Sequence, residues 1–228
     1  FIISFNDKLG KALSPVPNKR PFYMAPDKFI LAVLVSGQGS NLQAIIDSIE
    51  RNDLSAEIAL VISNVKDAYA LERAHKHGLE SIFLDPKSYP DRNGYEQALV
   101  ERIQSKSVNL ICLAGFMRVL GKHFIETFSG RIINIHPSLL PAFPGLRVQK
   151  RALEHGTRFS GCTVHYVNEE VDGGPIILQT VVPIYDNDNE ASLSKRILEQ
   201  EHIAYPEAIQ LIIEDRLTLS GRRVLRSK

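Results

Sequence analysis

The sequence predicts an α/β fold with a doubly wound, mostly parallel twisted sheet, helices on both faces and antiparallel strands late in the chain. Two observations support this prediction. Continuous apolar runs such as FILAVLVSG (29–37) and NLICLAG (109–115) are typical of parallel strands that are buried on both faces. Segments with helical spacing alternate with these runs, and such a β-α-β order is typical of a doubly wound sheet.

The predicted elements follow one another from residue 29 to residue 216. Glycines at 78 and 156 end the second and fifth helices, because glycine is common just past a helix C-terminus. The segment 160–167 alternates between apolar and polar residues, as a half-buried strand does. The predicted strands are 29–37, 57–63, 81–84, 109–115, 131–137, 160–167 and 175–184. The predicted helices are 41–50, 67–78, 94–106, 121–130, 148–156 and 191–216, the last of which contains Pro206.

The composition of the 228 residues is that of an ordinary globular protein, with 44% hydrophobic and 23% charged residues. Its 27 basic and 26 acidic side chains give a net charge of +1, which indicates neither a nucleic-acid partner nor a membrane partner. No apolar run has the length of a membrane span. Cys112 and Cys162 lie in apolar runs, so we expect reduced core thiols and a cytoplasmic protein.

The first residues of the chain differ from the rest. The stretch FIISFNDKLGKALSPVPNKRPFYMAP is basic and contains four prolines. Such a composition is typical of a leader or an upstream extension rather than of a packed element. We therefore expect residues 1–27 to lie outside the fold and residues 28–228 to form a single domain.

Three loops that leave predicted strand ends have unusual chemistry: SGQGSN (36–41), AGFMR (114–118) and NIHPSLLP (134–141). Ligands of open α/β sheets bind beyond the carboxyl ends of the strands, so these loops should converge. SGQGSN places glycines before a helix N-terminus, where backbone amides bind phosphate. It lacks the full dinucleotide pattern and the P-loop lysine, so neither NAD nor ATP is indicated. The alternative is a tight turn with Ser40 as N-cap.

The segment RIINIHP interrupts an apolar strand with Asn134 and His136. Residues two apart on a strand project from the same face, so the amide and the imidazole point the same way. Two donors aimed at one point can stabilise a developing oxyanion. The alternative is a core histidine that is satisfied by packing and one hydrogen bond.

The segment VDGG (171–174) supplies an acid in a glycine-rich turn. In the functional interpretation, the Asp172 carboxylate orients His136 and raises its proton affinity. In the alternative interpretation, Asp-Gly-Gly is only a favourable hairpin turn. Spacing alone does not decide between the two. No cysteine or histidine cluster has metal-binding spacing, so we predict no metal.

In this order, the segments SGQGSNLQAII, AGFMRVL, INIHPSLLPAFPG and VDGGPIILQ resemble the folate-dependent formyltransferase family. The first segment narrows the resemblance to its purine branch, the glycinamide ribonucleotide formyltransferases. The similarity covers about residues 29–215. It implies transfer of a formyl group from 10-formyltetrahydrofolate, as co-substrate, to the amine of glycinamide ribonucleotide in purine synthesis. The implied partners are these two small molecules, and the chain would be a monomer or a homodimer.

The resemblance also implies roles for individual residues. Arg92 would contact the phosphate, and the loop 168–174 would take part in the folate pocket. The segment LRVQK after FPG departs from the pattern of many relatives, so no role is carried over to Arg147. The implied residues are Asn134, His136 and Asp172 for catalysis; Gly39, Ser40, Asn41, Arg92 and Glu201 for the ribonucleotide; and Met117, Arg118, Val119 and Asp172 for the folate.

Three alternatives remain open at the level of sequence. A hydrolase of 10-formyltetrahydrofolate would use a similar triad with water as the acceptor. A transferase acting on a tRNA-bound or sugar-nucleotide amine would favour a basic surface or an added domain. A binding module of the same fold needs no oxyanion site, and fold alone does not exclude it.

Overall fold

The computed structural model describes residues 28–227. The predicted leader at 1–27 lies outside the described residues, as does Lys228. The described chain forms one nine-stranded sheet. The strands are β1 (Phe29–Val35), β2 (Ala56–Ser63), β3 (Ser81–Phe83), β4 (Leu110–Leu113), β5 (Ile132–His136), β6 (Phe159–Tyr166), β7 (Ile176–Pro183), β8 (Leu217–Ser220) and β9 (Arg223–Arg226).

Six α-helices connect or flank these strands. The last helix runs for 24 residues and continues through Pro206, so this proline does not end it. Among residues 28–227 no helix is both long and apolar enough to cross a membrane. The helices are α1 (Ser40–Glu50), α2 (Tyr69–Lys76), α3 (Arg92–Gln104), α4 (Lys122–Thr127), α5 (Val148–Glu154) and α6 (Glu190–Ile213).

The sheet has the strand order β3-β2-β1-β4-β5-β6-β7-β9-β8. Strands β3, β2, β1, β4 and β5 pair in parallel. The pairs β5–β6, β6–β7 and β8–β9 are antiparallel. The predicted fold class, a mostly parallel sheet with antiparallel strands late in the chain, is therefore confirmed.

Both faces of the sheet are covered, as the continuous apolar strands predict. In β1, Leu31, Val33 and Val35 belong to the core that includes side chains of α1, α2 and α6. Ala32 and Leu34 point to the opposite face and join the core that includes α3 and α4. Alternating residues of one strand thus fill two separate cores, which requires an apolar residue at every position.

The hairpin β8–β9 is absent from the sequence prediction, which ends its strands at residue 184. These strands have four residues each and are mostly exposed. Within residues 28–227, the backbone pairing of β9 with β7 consists of the pair Ile176↔Arg223. A short, arginine-rich segment has no continuous apolar run, and its pairing depends on the position of β7 rather than on its own pattern.

The strand order reverses between β1 and β4, and this reversal positions the site. The chain leaves β1 toward α1 on one side of this point and leaves β4 toward α4 on the other. At such a switch point the loops diverge and leave a crevice beyond the carboxyl ends of the strands. The loops after β1, β4 and β5 border this crevice, as the sequence predicts.

Helix α6 is tied to the ends of the neighbouring strands by Tyr205. This side chain is fully buried, and its hydroxyl lies 3.0 Å from the Leu113 carbonyl oxygen and 3.2 Å from that of Ile133. Burial raises the pKa of Tyr205 well above its usual value. The hydroxyl therefore stays protonated, and its single proton lies between the two carbonyl oxygens, one at the end of β4 and one near the start of β5.

We expect Tyr205→Phe to lower the free energy of unfolding by about 0.5–1.5 kcal/mol, because it removes one buried hydrogen bond and keeps the ring. Urea unfolding monitored by circular dichroism measures this loss. The control is Tyr185→Phe, since Tyr185 is 54% exposed. Equal stability of the two variants would contradict a role of the hydroxyl in holding α6.

Candidate active site

The carboxyl end of β5 carries the two predicted donors on one face. Asn134 lies opposite His165 of β6, and His136 lies opposite Thr163. His136 is 6% exposed, whereas Asn134 is half-buried. At the end of β5, the His136 imidazole is therefore shielded from solvent and the Asn134 amide is more accessible.

Asp172, in the loop after β6, reaches both of these side chains. Its Oδ2 lies 3.4 Å from His136 Nδ1, and its Oδ1 lies 3.5 Å from Asn134 Nδ2. Gly145 donates its backbone N–H to Oδ2 over 2.8 Å. The side chains of His136 and Asp172 are only 7% and 11% exposed, so solvent screens their interaction weakly. The structure brings the three predicted catalytic residues together.

The loop of Asp172 is a turn that also directs the carboxylate toward His136 and Asn134. The interpretation of VDGG as a turn and its interpretation as a functional segment are therefore compatible. Asp172 has a φ of 53°, a left-handed conformation that aspartate adopts more readily than most residues. Gly174 packs against the Tyr166 carbonyl oxygen so closely that a Cβ there would overlap it. Glycine at this position lets the loop fold back over the end of β6.

His165 is a site residue that the sequence analysis missed. Its Nδ1 lies 2.8 Å from the Tyr166 carbonyl oxygen, and its Nε2 lies 3.2 Å from Asn134 Nδ2. Because the carbonyl only accepts, Nδ1 carries the proton and Nε2 accepts from the Asn134 amide. Burial lowers the pKa of His165, which favours this neutral form. The alternating pattern of SGCTVHYV was the available signal, but its register against β5 was needed to interpret it.

The predicted phosphate-binding loop ends at the N-terminus of α1. Gly39 is the N-cap, with a φ of 67°, and the helix begins at Ser40 rather than being capped by it. No side chain caps this end, and the first turn contains no acid. Gly39 also packs against Ala70 of α2, where a Cβ would collide. The first amides of α1 are therefore available to an anion.

Asn41 connects this helix terminus to α6. Its Nδ2 donates to Glu201 Oε2 over 2.7 Å, and both residues are more than nine-tenths buried. Burial raises the pKa of Glu201, and the hydrogen bond from Asn41 opposes that shift. Asn41 Oδ1 has no hydrogen-bond partner within residues 28–227. Asn41 and Glu201 are thus joined next to Gly39 and Ser40, and the role of these residues in binding the ribonucleotide stays a prediction.

The three residues of the predicted folate loop follow β4. Met117 and Val119 are 68% and 62% exposed, which is unusual for such apolar side chains. The Met117 backbone N–H donates to Ser36 Oγ over 2.7 Å, and the Arg118 guanidinium carbon lies 5.0 Å from the centre of the Tyr95 ring. The hydrogen bond from Met117 to Ser36 therefore joins the loop after β4 to the loop after β1. The Met117 and Val119 side chains of this loop are left exposed.

Arg92 begins α3 and lies beside the far end of this loop. Its Nε donates to Glu96 Oε1 over 2.7 Å, and the same oxygen accepts the Gly121 backbone N–H over 2.8 Å. Within residues 28–227 its ion-pair partner is Glu96, and no ion pair or hydrogen bond joins it to residues 37–41. The structure thus groups Arg92 with the loop after β4. Its contact with phosphate stays a prediction.

Arg147 lies at the start of α5, in the segment LRVQK. It is the N-cap of that helix, with a φ of 56°, and is exposed. Leu146 beside it is 74% exposed. Both residues border the same loop that supplies Gly145 to Asp172. Within residues 28–227 no group of three or more His, Cys, Asp or Glu side chains is placed to hold a metal ion.

Comparison with known proteins agrees with this geometry. The formyl transferase family model matches residues 30–209. The chain belongs to the formyl transferase family. Its sequence is 42% identical to phosphoribosylglycinamide formyltransferase of Escherichia coli (strain K12), over 83% of this chain and 89% of that protein. It is 52% identical to the trifunctional purine biosynthetic protein adenosine-3 of Drosophila pseudoobscura pseudoobscura, over 80% of this chain. The match spans only 14% of that longer relative.

Solved structures of this family share the fold. Glycinamide ribonucleotide transformylase 1 from Symbiobacterium toebii superposes with a TM-score of 0.88 at 48% identity, over 90% of this chain and 97% of that one. A formyltetrahydrofolate deformylase from Pseudomonas syringae pv. tomato superposes with a TM-score of 0.82 at 25% identity, over 88% of this chain and 66% of that one. The fold is thus shared by transferases and a deformylase, and function depends on the site.

The raised pKa of Glu201 predicts a pH-dependent difference in stability. A carboxyl whose pKa is higher in the folded state stabilises the fold at low pH, and this stabilisation is lost as the pH rises above the usual value of 4.5. Glu201→Gln keeps an acceptor for Asn41 and does not ionise. We therefore expect its unfolding free energy to increase relative to that of the natural chain as the pH rises from 4.5 toward neutrality.

Urea midpoints measured at a series of pH values test this expectation. The matched control is Glu199→Gln, which changes an exposed acid on the same helix. Parallel pH profiles for the natural chain and Glu201→Gln would show that the buried carboxyl does not have the raised pKa.

Proposed function

We propose that this chain transfers the formyl group of 10-formyltetrahydrofolate to the amine of glycinamide ribonucleotide. The products are formylglycinamide ribonucleotide and tetrahydrofolate, and the step belongs to purine biosynthesis. The observation that carries the proposal is the meeting of Asn134, His136 and Asp172 at the end of β5. The names of full-length relatives, such as the phosphoribosylglycinamide formyltransferase of Escherichia coli, support it.

The reaction develops negative charge on one oxygen. The lone pair of the substrate amine attacks the formyl carbon, a C–N bond forms, and the electrons of the carbonyl double bond move to oxygen. The resulting tetrahedral intermediate collapses, the bond from that carbon to folate N10 breaks, and the carbonyl is restored. One proton leaves the attacking nitrogen and one reaches N10, so the overall exchange is balanced.

The donors at the end of β5 stabilise that oxyanion. The Asn134 amide and the protonated His136 ring both donate hydrogen bonds, and an interaction that strengthens only as charge develops accelerates the reaction. The Asp172 carboxylate lies 3.4 Å from His136 Nδ1 and orients the ring. The same carboxylate is near enough to help move a proton from the amine to the leaving nitrogen.

Two surfaces of the crevice would hold the substrates. The amides of Gly39, Ser40 and Asn41 at the N-terminus of α1 would bind the ribonucleotide phosphate, with Glu201 beside them. The exposed Met117 and Val119, with Arg118 between them, would contact the folate together with the loop of Asp172. Arg92 would add a charged contact to the phosphate.

A formyltetrahydrofolate hydrolase is the second candidate. The similarity to the solved Pseudomonas deformylase favours it, because that chain has the same fold at 25% identity. In that reaction water replaces the amine. The polar group at the N-terminus of α1 and Glu201 favours a phosphorylated amine as the acceptor, since water needs no such site.

One assay separates the two functions. The protein is incubated with 10-formyltetrahydrofolate, with and without glycinamide ribonucleotide, and release of tetrahydrofolate is followed. Release that depends on the amine supports the transferase. Equal release without the amine would overturn the proposal and support the hydrolase.

A cytoplasmic location is part of the proposal. Cys112 and Cys162 are free and buried, as a reducing compartment allows. Burial raises the pKa of the Cys162 thiol to about 12, so it stays protonated and unreactive.

We expect Asp172→Asn to lower kcat by orders of magnitude with modest changes in both KM values. The substitution preserves shape but removes the negative charge that faces His136 Nδ1 at 3.4 Å. Steady-state kinetics with both substrates measure this loss. A variant with full activity would show that the acid serves only as part of a turn.

We expect Arg92→Ala to raise the KM for glycinamide ribonucleotide more than tenfold, because a charge-assisted contact with phosphate is lost. The KM for the folate should change by about twofold or less. The control is Arg102→Ala, an exposed arginine of the same helix. A larger effect on the folate KM would contradict the phosphate contact and place Arg92 in the folate site.

A further inference from the structure

Both ring nitrogens of His136 face oxygens that only accept hydrogen bonds. Nε2 lies 3.0 Å from the Phe143 carbonyl oxygen, and Nδ1 lies 3.4 Å from Asp172 Oδ2. A backbone carbonyl has no proton to offer, so Nε2 must be the donor in its contact. The Phe143 carbonyl and Asp172 together therefore fix the orientation of the imidazole ring, with Nε2 toward the loop after β5 and Nδ1 toward the carboxylate.

The Phe143 carbonyl owes its direction to an unusual loop conformation. Phe143 has a φ of 53°, which is rare for a bulky side chain. Ser138 Oγ donates to the Ala142 carbonyl oxygen over 2.6 Å and lies 3.3 Å from that of Phe143. A conformation of this kind persists only where its surroundings fix it.

Arg151 of α5, which is not one of the predicted catalytic residues, contacts this loop and helps to hold its conformation. Its Nη1 donates to the Pro144 carbonyl oxygen over 2.6 Å, and its guanidinium carbon lies 5.5 Å from the centre of the Phe143 ring. The His155 ring packs edge-on against the same phenyl ring, with centroids 5.3 Å apart. Arg151 thus contacts both Phe143 and Pro144, the two residues joined by the peptide bond that contains the Phe143 carbonyl.

We propose that Arg151 is a positioning residue for formyl transfer, which holds the Phe143 carbonyl against His136 Nε2 and so fixes the orientation of the catalytic imidazole beside Asp172. The inference rests on the proposed function for its catalytic consequence, but the orientation of the ring does not depend on a substrate. The charged and titratable groups that face His136 are Asp172 and His165. Neither contacts Arg151, so a change at Arg151 acts through the loop.

Two variants of α5 make a matched pair. Arg151→Ala removes the contacts with Pro144 and Phe143. Lys150→Ala removes the neighbouring cation, whose Nζ lies 3.6 Å from Glu154 and which is 42% exposed. Both variants lose one positive charge from the same helix, so a general electrostatic effect would appear in both.

The first measurement is steady-state kinetics with both substrates. For Arg151→Ala we expect kcat to fall by about tenfold or more, as misplacement of a catalytic group costs. Both KM values should stay within about twofold of those of the natural chain. Lys150→Ala should match the natural chain. An unchanged kcat for Arg151→Ala would overturn the proposal.

The second measurement needs no substrate. Long-range proton–nitrogen NMR of the full chain reports on the two ring nitrogens of His136. In Arg151→Ala we expect the Nε2 signal to move away from its position in the natural chain, because the hydrogen bond to the Phe143 carbonyl is weakened, whereas Lys150→Ala should leave it in place. An unchanged Nε2 signal in Arg151→Ala would overturn the inference, even if the variant were less active. Failure of the natural chain to form formylglycinamide ribonucleotide would instead overturn the proposed function and leave this NMR test intact.

Discussion

The carboxylate of Asp172 is the point at which three separate segments of the chain meet. It accepts the Gly145 N–H over 2.8 Å from the loop after β5, faces His136 Nδ1 of β5 at 3.4 Å, and itself belongs to the loop after β6. Because its side chain is only 11% exposed, these contacts replace the water that would otherwise solvate its charge. The positions of both loops relative to the strand end therefore depend on one buried anion.

The neighbouring imidazoles respond to this anion in different ways. His165 is held neutral, because burial lowers its pKa and its Nε2 is used to accept from Asn134. His136 faces acceptors at both ring nitrogens. The site thus contains one neutral histidine that orients the Asn134 amide and one that donates. The β5–β6 register places His165 opposite Asn134, whereas the partners of His136 come from the loops after these two strands.

Much of the fold was readable from the sequence because the determining patterns are local. Strands buried on both faces appear as apolar runs, and the two-residue period places Asn134 and His136 together without any tertiary information. The hairpin β8–β9, His165 and the Phe143 carbonyl were not readable. Each depends on a long-range pairing, or on a backbone conformation, that leaves no periodic trace. The family resemblance supplied roles for Gly39 and Glu201. The hydrogen bond from Asn41 to Glu201, which links the N-terminus of α1 to α6, is seen only in the three-dimensional structure.

The central claim is that the end of β5 stabilises one oxyanion with two donors, and a double-mutant cycle of Asn134→Ala and His136→Ala tests it most directly. With saturating substrates, each single change should lower kcat by about 10²–10³ while substrate affinities stay nearly constant. Because both donors act on the same charge, the double variant should lose less than the product of the two single losses. A folded His136→Ala variant that keeps the natural kcat would contradict the claim.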